Sequence, residues 1–319
     1  MPELPEVETV CRSLRPHLVG RTIRRVRVLE PRLRLPVDEK GLKALAGKRI
    51  DAITRIAKYI VFDLSGDTVW VFHLGMSGKL ICVAPSTARK KHDHIIVHLD
   101  DGAELRYHDP RRFGLSLVTK RRALHELPQL HRIGLDPFDP ALSADYLFRF
   151  TRSSERRIRD LLLDQQIIAG LGNIYANEIL ALAGIKPTTR AHRVTRKQVQ
   201  VLAQLIPKLL GDAIRWCGTS FSDYRDGDDK SGEFQNHLRV YDRDGERCRV
   251  CPSVIKRVAI GNRSAFYCQT RISFFRRSGT GIFACFGPGC CFPAWAASSL
   301  KWRWRGKFMS LPIRRCRSV

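Results

Sequence analysis

The chemistry this sequence can perform starts at its second residue. If Met1 is removed, Pro2 becomes a free secondary amine. An α-amino group titrates at about 7.7–8.0, against about 10.4 for Lys, so an appreciable fraction is neutral and nucleophilic at physiological pH. Such an amine can form a Schiff base with a sugar aldehyde carbon. Glu3 and Glu6 stand beside it, and a carboxylic acid held near a leaving group can supply a proton. A proline at position 2 is weak evidence by itself, because many chains carry one simply to favour removal of Met.

A second constellation lies far downstream. Cys248-x2-Cys251-x16-Cys268 offers three of the four thiols of a C-x2-C-x16-C-x2-C site, and Arg271 stands where the fourth belongs. Four thiolates in tetrahedral geometry close a structural zinc site. A third string, Gly170-Leu171-Gly172-Asn173, looks like a dinucleotide loop. It lacks the third glycine and follows a helical pattern rather than a strand, which excludes that reading.

The composition narrows the partner. The 319 residues carry 56 Lys+Arg against 31 Asp+Glu, a net charge of +25, which points to a polyanion such as nucleic acid. A hydrophobic content of 44% excludes a wholly disordered basic tail. No apolar run is long enough for a membrane span, and the acidic start MPELPEVETV is not a secretory signal, so a cytoplasmic protein is expected. Cys11, Cys82 and Cys217 are scattered. The other seven cysteines (Cys248, Cys251, Cys268, Cys285, Cys290, Cys291 and Cys316) crowd the last quarter. That distribution fits a local metal site in a reducing compartment better than a disulfide framework.

The elements that must position these groups follow from periodicity. Val7, Val10, Cys11, Leu14 and Leu18 lie on one helix face, and Gly20 is placed to end the helix. From Arg21 to about Thr119, short β-type runs (TIRRVRVL, KYIVFDL, TVWVFHL, HIIVHL, AELRYHD) alternate with turns, the pattern of a β-sandwich or barrel. Residues 120–150 hold three prolines and read as a connector. Beyond them the period is helical, with a Thr195–Gln198 capping box and Pro207 expected to kink or shorten the last helix. Residues 218–236 are polar and Gly-rich and read as a mobile loop. Residues 272–319 carry nine Lys+Arg, no Asp, Glu or His, and three of the five tryptophans, with no readable domain.

The string MPELPEVETV resembles the start of the formamidopyrimidine-DNA glycosylases, bacterial repair enzymes that remove oxidised purines. The resemblance continues through AKYIVFDL, HLGMSGKL, KHDHIIVHL, YHDPRRFG, LLLDQQIIAGLGNIYANEIL, SGEFQ and the cysteine pair after VYDRDGE. It covers roughly residues 1–270. It implies an α+β protein: an N-terminal β-sandwich with a flanking helix (residues 1–130), a helical helix–two-turns–helix region (131–236) and a zinc-finger-like hairpin (237–271). An atypical basic tail (272–319) would follow.

The resemblance implies the following roles. Pro2 is similar to the nucleophile that attacks sugar C1′, Glu3 to the catalytic acid, and Lys58 to the lysine that assists chemistry and contacts phosphate. Glu6 resembles a supporting carboxylate, though it could merely favour the helix N-terminus. An enzyme acting on a base in a duplex must extrude it and fill the hole, and Met76, Arg111 and Phe113 are similar to the filling residues. His92, with His73 and His94, could contact phosphate or be an ordinary strand residue. Asn173 and neighbouring amides would hold a phosphate at the helix–two-turns–helix turn, and Arg263 would face the DNA backbone from the hairpin. Arg159 stands where the family usually has Lys, which puts fine substrate preference in doubt. Tyr224 and Lys230 fall in the loop that resembles the one closing over the flipped base.

For the incomplete cysteine set, three explanations stay open. A frameshift near 269–271 removes a ligand and appends a non-native tail, or Cys285 or a later cysteine completes a Zn2+ site, or the finger folds without metal. The expected activity is base-excision glycosylase and abasic-site lyase on double-stranded DNA, by a monomer. The alternatives are an impaired lesion-binding protein and an endonuclease VIII-like pyrimidine glycosylase. Without the tail, 47 basic residues face 31 acidic ones, so the first 271 residues keep a charge of +16.

Overall fold

The computed structural model describes residues 2–219, 226–270, 272, 302–304 and 307–309. Tyr224, Arg271, Cys285, Cys290, Cys291 and Cys316 lie outside the described residues. The chain divides into two compact units, residues 1–281 and 282–319.

The first unit opens with α1 (Leu4–Leu18), three residues ahead of Val7, the first residue of the apolar face read from the sequence. Pro5 suits a first helical turn, and the Glu6 side chain reaches back to the Glu3 amide at 2.8 Å. Its inner face, Leu4, Val7, Val10, Cys11, Leu14 and Leu18, is fully buried; each such side chain contributes about 1.5–3 kcal/mol. Gly20, at φ +87°, follows as the sequence suggests.

Two antiparallel four-stranded sheets follow. One runs in the order β1 (Ile23–Val28), β6 (Asp93–Leu99), β7 (Glu104–His108), β5 (Lys79–Val83), with the short α2 (Glu39–Lys43) inserted after β1. The other runs β2 (Ile50–Ile56), β3 (Tyr59–Leu64), β4 (Thr68–His73), β8 (Leu115–Lys120). The sandwich core joins inner-face residues of both sheets, among them Val26, Ile53, Phe62, Trp70, Phe72, Ile95 and Leu105, to the apolar face of α1. Every residue of β4 is buried. Val69 and Val71 on its far face pack with Leu124 and Leu130, so the segment after β8 is a cover for the sheet rather than a bare connector. It also contains a 3-10 turn (Arg121–Glu126) and α3 (Ala144–Arg152), capped by Ser143, whose hydroxyl accepts the Tyr146 amide at 3.2 Å.

The helical part continues with α4 (Ile158–Leu162), α5 (Asn173–Leu182) and α6 (Arg196–Arg215). The Thr195–Gln198 capping box is present. Pro207 does not shorten α6, which runs unbroken for 20 residues. A helix-interior proline costs about 3 kcal/mol. The buried face of Val199, Leu202, Leu205, Ile206, Leu209, Leu210 and Ala213 outweighs that, at roughly 1.5–3 kcal/mol per large side chain. After α6 in the chain, β9 (Ile255–Ile260) and β10 (Arg263–Cys268) form an antiparallel hairpin, with β10 packed on α5.

The stretch read as a mobile loop is anchored at both described ends. The Thr219 amide donates to Glu6 Oε1 at 2.7 Å. The Gly227 amide donates to Ser13 Oγ at 2.8 Å, and its carbonyl accepts the Cys82 amide at 3.1 Å. Glu6 and Ser13 belong to α1, so both anchors close on one helix. The second unit contains an antiparallel pair, β11 (Trp302–Trp304) and β12 (Lys307–Met309).

Candidate active site

Pro2, Glu3, Glu6 and Lys58 are brought together as a buried cluster where α1 meets the start of α5. The Leu4 amide donates to the Gly170 carbonyl at 3.1 Å. Glu3 Oε1 accepts the Ile174 amide at 2.8 Å, and Oε2 accepts the Tyr175 amide at 3.4 Å. A carboxylate thus occupies the positive end of the α5 dipole. Gly172 makes the approach possible, since a Cβ there would lie 2.3 Å from Glu3 Cδ. The sequence reading offered the amides beside Asn173 to a DNA phosphate. Those of Ile174 and Tyr175 hold Glu3 instead.

Glu6 serves neighbouring elements at once. Its Oε2 accepts the Glu3 amide, while Oε1 accepts the Tyr175 hydroxyl at 2.5 Å and the Thr219 amide. It therefore ties α1, α5 and the following loop to one point, beyond favouring a helix terminus. Lys58 sits in the β2–β3 turn next to Ala57, whose φ is +52°. Arg55 braces this turn, donating to the Ala57 carbonyl at 3.1 Å while pairing with Glu8 and Asp136.

Burial sets the electrostatics. It pushes the Glu3 carboxyl up to about 7, opposed by the Lys58 charge and the two amides and reinforced by Glu6. Lys58 is held below the usual lysine range by burial, with Glu3 opposing and the charge of Arg263 adding to the effect. The cluster therefore holds an acid and an amine that both exchange protons nearer neutrality than their free counterparts, a pattern typical of proton-handling sites.

Burial also pushes His73 down to about 4, followed by the charges of Lys58 and Arg34. Its Nδ1 accepts the Gly75 amide at 3.0 Å. His94 is buried, with Nε2 2.7 Å from the Asp109 carbonyl oxygen. Both are buried strand residues whose rings contact main-chain atoms of the adjoining loops. His92 is half-buried, its ring 6.1 Å from that of His94 and 5.9 Å from that of His108.

Met76, Arg111 and Phe113 occupy two adjoining loops. Met76 is 41% and Phe113 45% exposed, and the Arg111 guanidinium lies 4.7 Å from the Phe113 ring centroid. Large side chains left in water on neighbouring loops suit insertion into a partner. Asp109, which the sequence reading did not single out, locks the loops together. Its Oδ1 accepts the Ser77 hydroxyl at 2.6 Å, and its Oδ2 accepts the Tyr107 hydroxyl at 3.0 Å and the Gly114 amide at 2.9 Å. Gly75 (φ +65°) allows the contact, because a Cβ there would stand 2.5 Å from the Phe113 carbonyl carbon.

The far side of α5 explains the string NIYANE. Asn173 Nδ2 donates to the Ser264 carbonyl at 3.1 Å, and its Oδ1 accepts Arg159 Nη2 at 2.7 Å. Asn177 Oδ1 accepts the Phe266 amide at 2.8 Å. The buried Glu178 accepts the amides of Arg239, Val240 and Tyr241, each at 2.8 Å. The hairpin so held exposes Arg263 at the first position of β10. Asn177 and Glu178 were visible only as letters in a motif, because their partners lie 61 to 89 residues away.

Cys248, Cys251 and Cys268 also converge. Their Sγ atoms lie within 4.8 Å of one another, close enough to hold a metal ion. Zn–S bonds of 2.3 Å at tetrahedral angles require Sγ separations of about 3.8 Å, so the three thiols fit three corners of such a site. Among the described residues no fourth His, Cys, Asp or Glu joins them.

A β-sandwich whose first helix caps a helix–two-turns–helix unit, with a cysteine-bearing hairpin behind it, defines the helix–two-turns–helix DNA glycosylase class. Residues 1–116 match the formamidopyrimidine-DNA glycosylase N-terminal domain, and residues 133–225 the H2TH domain of the same enzymes. The chain is 45% identical over 270 residues to a formamidopyrimidine-DNA glycosylase of Hahella chejuensis, covering 85% of this chain and 99% of the relative. It is 43% identical over 268 residues to that of Thioalkalivibrio sulfidiphilus, covering 84% and 98%. Among solved structures it is similar to Lactococcus lactis Fpg in complex with DNA containing an abasic site. That match has a TM-score of 0.79 and 32% identity, with 84% of this chain and 98% of that one covered. A complex of the same enzyme with N7-benzyl-Fapy-dG DNA matches with the same score and identity. The chain belongs to the formamidopyrimidine-DNA glycosylase family. No helix among the described residues is long and apolar enough to cross a membrane.

Proposed function

We propose that this protein excises oxidised purines, formamidopyrimidines and 8-oxoguanine, from duplex DNA and then cleaves the strand as an abasic-site lyase. The observation that carries the reading is the buried cluster. Glu3, next in sequence to Pro2, has its carboxyl pushed up to about 7, so a proton is available at neutral pH. The neutral Pro2 nitrogen attacks C1′, its lone pair forms the C–N bond, and the bond from C1′ to the base breaks with its electron pair leaving on the base, which takes up the proton that the amine gives up. The nitrogen lone pair then forms the C1′=N iminium as the C1′–O4′ bond breaks, and the carboxylic acid of Glu3 gives its proton to the ring oxygen as the ring opens. Loss of a C2′ proton then expels the 3′ phosphate by β-elimination, and δ-elimination releases the 5′ phosphate. Water frees Pro2 from the remaining sugar fragment. Lys58, buried in the same cluster, assists the chemistry and contacts phosphate.

Met76, Arg111 and Phe113 fill the space of the extruded base, and His92, Asn173 and Arg263 contact the DNA backbone. Zn2+ is the cation we assign to the three thiols, in a role that supports the hairpin and takes no part in the chemistry. The enzyme acts as a monomer in the bacterial cytoplasm. In an 8-oxoguanine duplex assay, borohydride is expected to trap a covalent protein–DNA adduct. An N-terminally blocked Pro2 should give none, and undiminished trapping by the blocked protein would sink the assignment.

A further inference from the structure

The loop between β5 and β6, residues 84–92, carries the run Arg89-Lys90-Lys91 immediately before His92. All three cations are exposed, and among the described residues none of them forms an ion pair. Exposed arginines elsewhere on the sandwich are answered by carboxylates. Arg32 and Arg112 meet Glu30, Arg49 meets Asp51 and Arg121 meets Asp63, each within 3.2 Å. Three adjacent cations without such partners repel one another and attract a polyanion.

The sheet decides where they stand. β5 ends at Val83, opposite Glu104 at the start of β7, whereas β6 begins at Asp93, opposite His108 at its end. The loop must therefore run the length of β7. Arg106, buried at the middle of β7, fixes that path. Its Nη2 donates to the Thr87 carbonyl at 2.8 Å and its Nη1 to the Ala88 carbonyl at 3.1 Å, while Nε donates to Glu104 at 2.8 Å. Further along, Asp93 Oδ2 accepts the Lys90 amide at 2.9 Å, and its Oδ1 lies 2.9 Å from His108 Nδ1. The His92 carbonyl accepts the Asp109 amide at 3.0 Å. Asp109 is the residue that locks the Met76 and Phe113 loops, and Arg111 follows two positions later. The run thus arrives at the end of the sheet that carries Met76, Arg111 and Phe113, on a backbone already held in place, so little ordering is left to oppose binding. The nearest acids, Asp93 and Glu104, are buried and engaged with Arg106.

We propose that Arg89, Lys90 and Lys91 form a phosphate-binding ridge for duplex DNA, which extends the contact from the loops of Met76, Arg111 and Phe113 onto the backbone flanking the extruded base. The inference rests on the DNA-binding part of the function proposed above and adds a surface to it. The ridge offers charge and no base recognition, so it tightens binding to damaged and undamaged duplex alike.

The experiment measures binding of the full chain to an undamaged duplex as salt is varied, with wild type set against Arg89→Ser, Lys90→Ser and Lys91→Ser combined. Each phosphate contact adds about 0.9 to the slope of log K against log salt, so the combined variant should lose about 2–3 from it. Exchanging the cations, by Arg89→Lys with Lys90→Arg and Lys91→Arg, keeps the slope. The substituted side chains are exposed, and an unchanged urea midpoint checks that the fold is intact. Phosphate ethylation interference on a duplex with a tetrahydrofuran abasic analogue then locates the contact: a discrete set of flanking phosphates loses its interference in the serine variant. An unchanged slope overturns the proposal, and so does a lower slope with an unaltered ethylation pattern, which would report lost net charge without a contact. Wild-type protein whose duplex binding ignores salt would instead sink the DNA reading beneath it.

Discussion

The two ends of α5's polar surface each hold a buried glutamate against main-chain amides, and they differ in what else reaches the carboxylate. Glu178 takes three amides at 2.8 Å, with neighbouring positive charge from Arg239. Glu3 takes two, one of them at 3.4 Å, and feels both Lys58 and a second carboxylate, Glu6. Burial raises both pKa values. A fully engaged carboxylate acts as a fastener between segments. One that is under-coordinated and beside an amine is able to give and take a proton.

Breaking the Glu3 end should have the largest effect. Glu3→Gln is expected to slow base release from an oxidised-purine duplex by about 10²- to 10⁴-fold, read in single-turnover assays. If Glu178→Gln slows the chemical step as much, the contrast between the two ends fails. The pH profile sharpens the same point. As the proposed acid, Glu3 would act in its protonated form, which dominates below about 7, so base release should fall as pH rises through that value. Glu3→Gln should flatten that limb, and a wild-type profile without it would remove Glu3 as the acid.

At the other end the expected losses are mechanical. Glu178→Gln replaces part of an acceptor set with donors facing buried amides and should cost about 1–3 kcal/mol of stability, measured by urea unfolding. Single-turnover release at saturating enzyme should stay close to wild type. The smallest effect belongs to Arg263→Ala, which should weaken binding evenly across DNA sequences and reduce the slope of log K against log salt by about 1. An unchanged slope would take Arg263 off the DNA.

Elements with their own period were legible in the sequence: the apolar face of α1, the strands around KYIVFDL and TVWVFHL, and the capping box of α6. The strands β2, β5 and β8 were not, because DAITRI, KLICV and LSLVTK mix polar and apolar residues as their places in the sheets require. The segment after β8 hid its role as a cover, since Leu124 and Leu130 gain meaning only against the far face of β4. Pro2, Glu3 and Lys58 were legible as types and by resemblance, but their environment was not. The amides that hold Glu3 lie 171 and 172 residues away, and no local pattern records such a contact. Asp109 was hidden in the same way, its loop-locking role depending on Ser77 and Gly114 folding back to it.

The bond between Glu3 and the first turn of α5 has a temporal consequence. A ribosome releases the start of the chain long before residue 175, and N-terminal parts tend to fold first during synthesis. Until α5 arrives, Glu3 has neither its two amides nor the burial that lifts its pKa, and Pro2 has no formed pocket around it. On the proposed mechanism a half-made chain therefore carries Pro2 unarmed, and competence to cut DNA would come only once the later half of the protein has docked onto the first few residues.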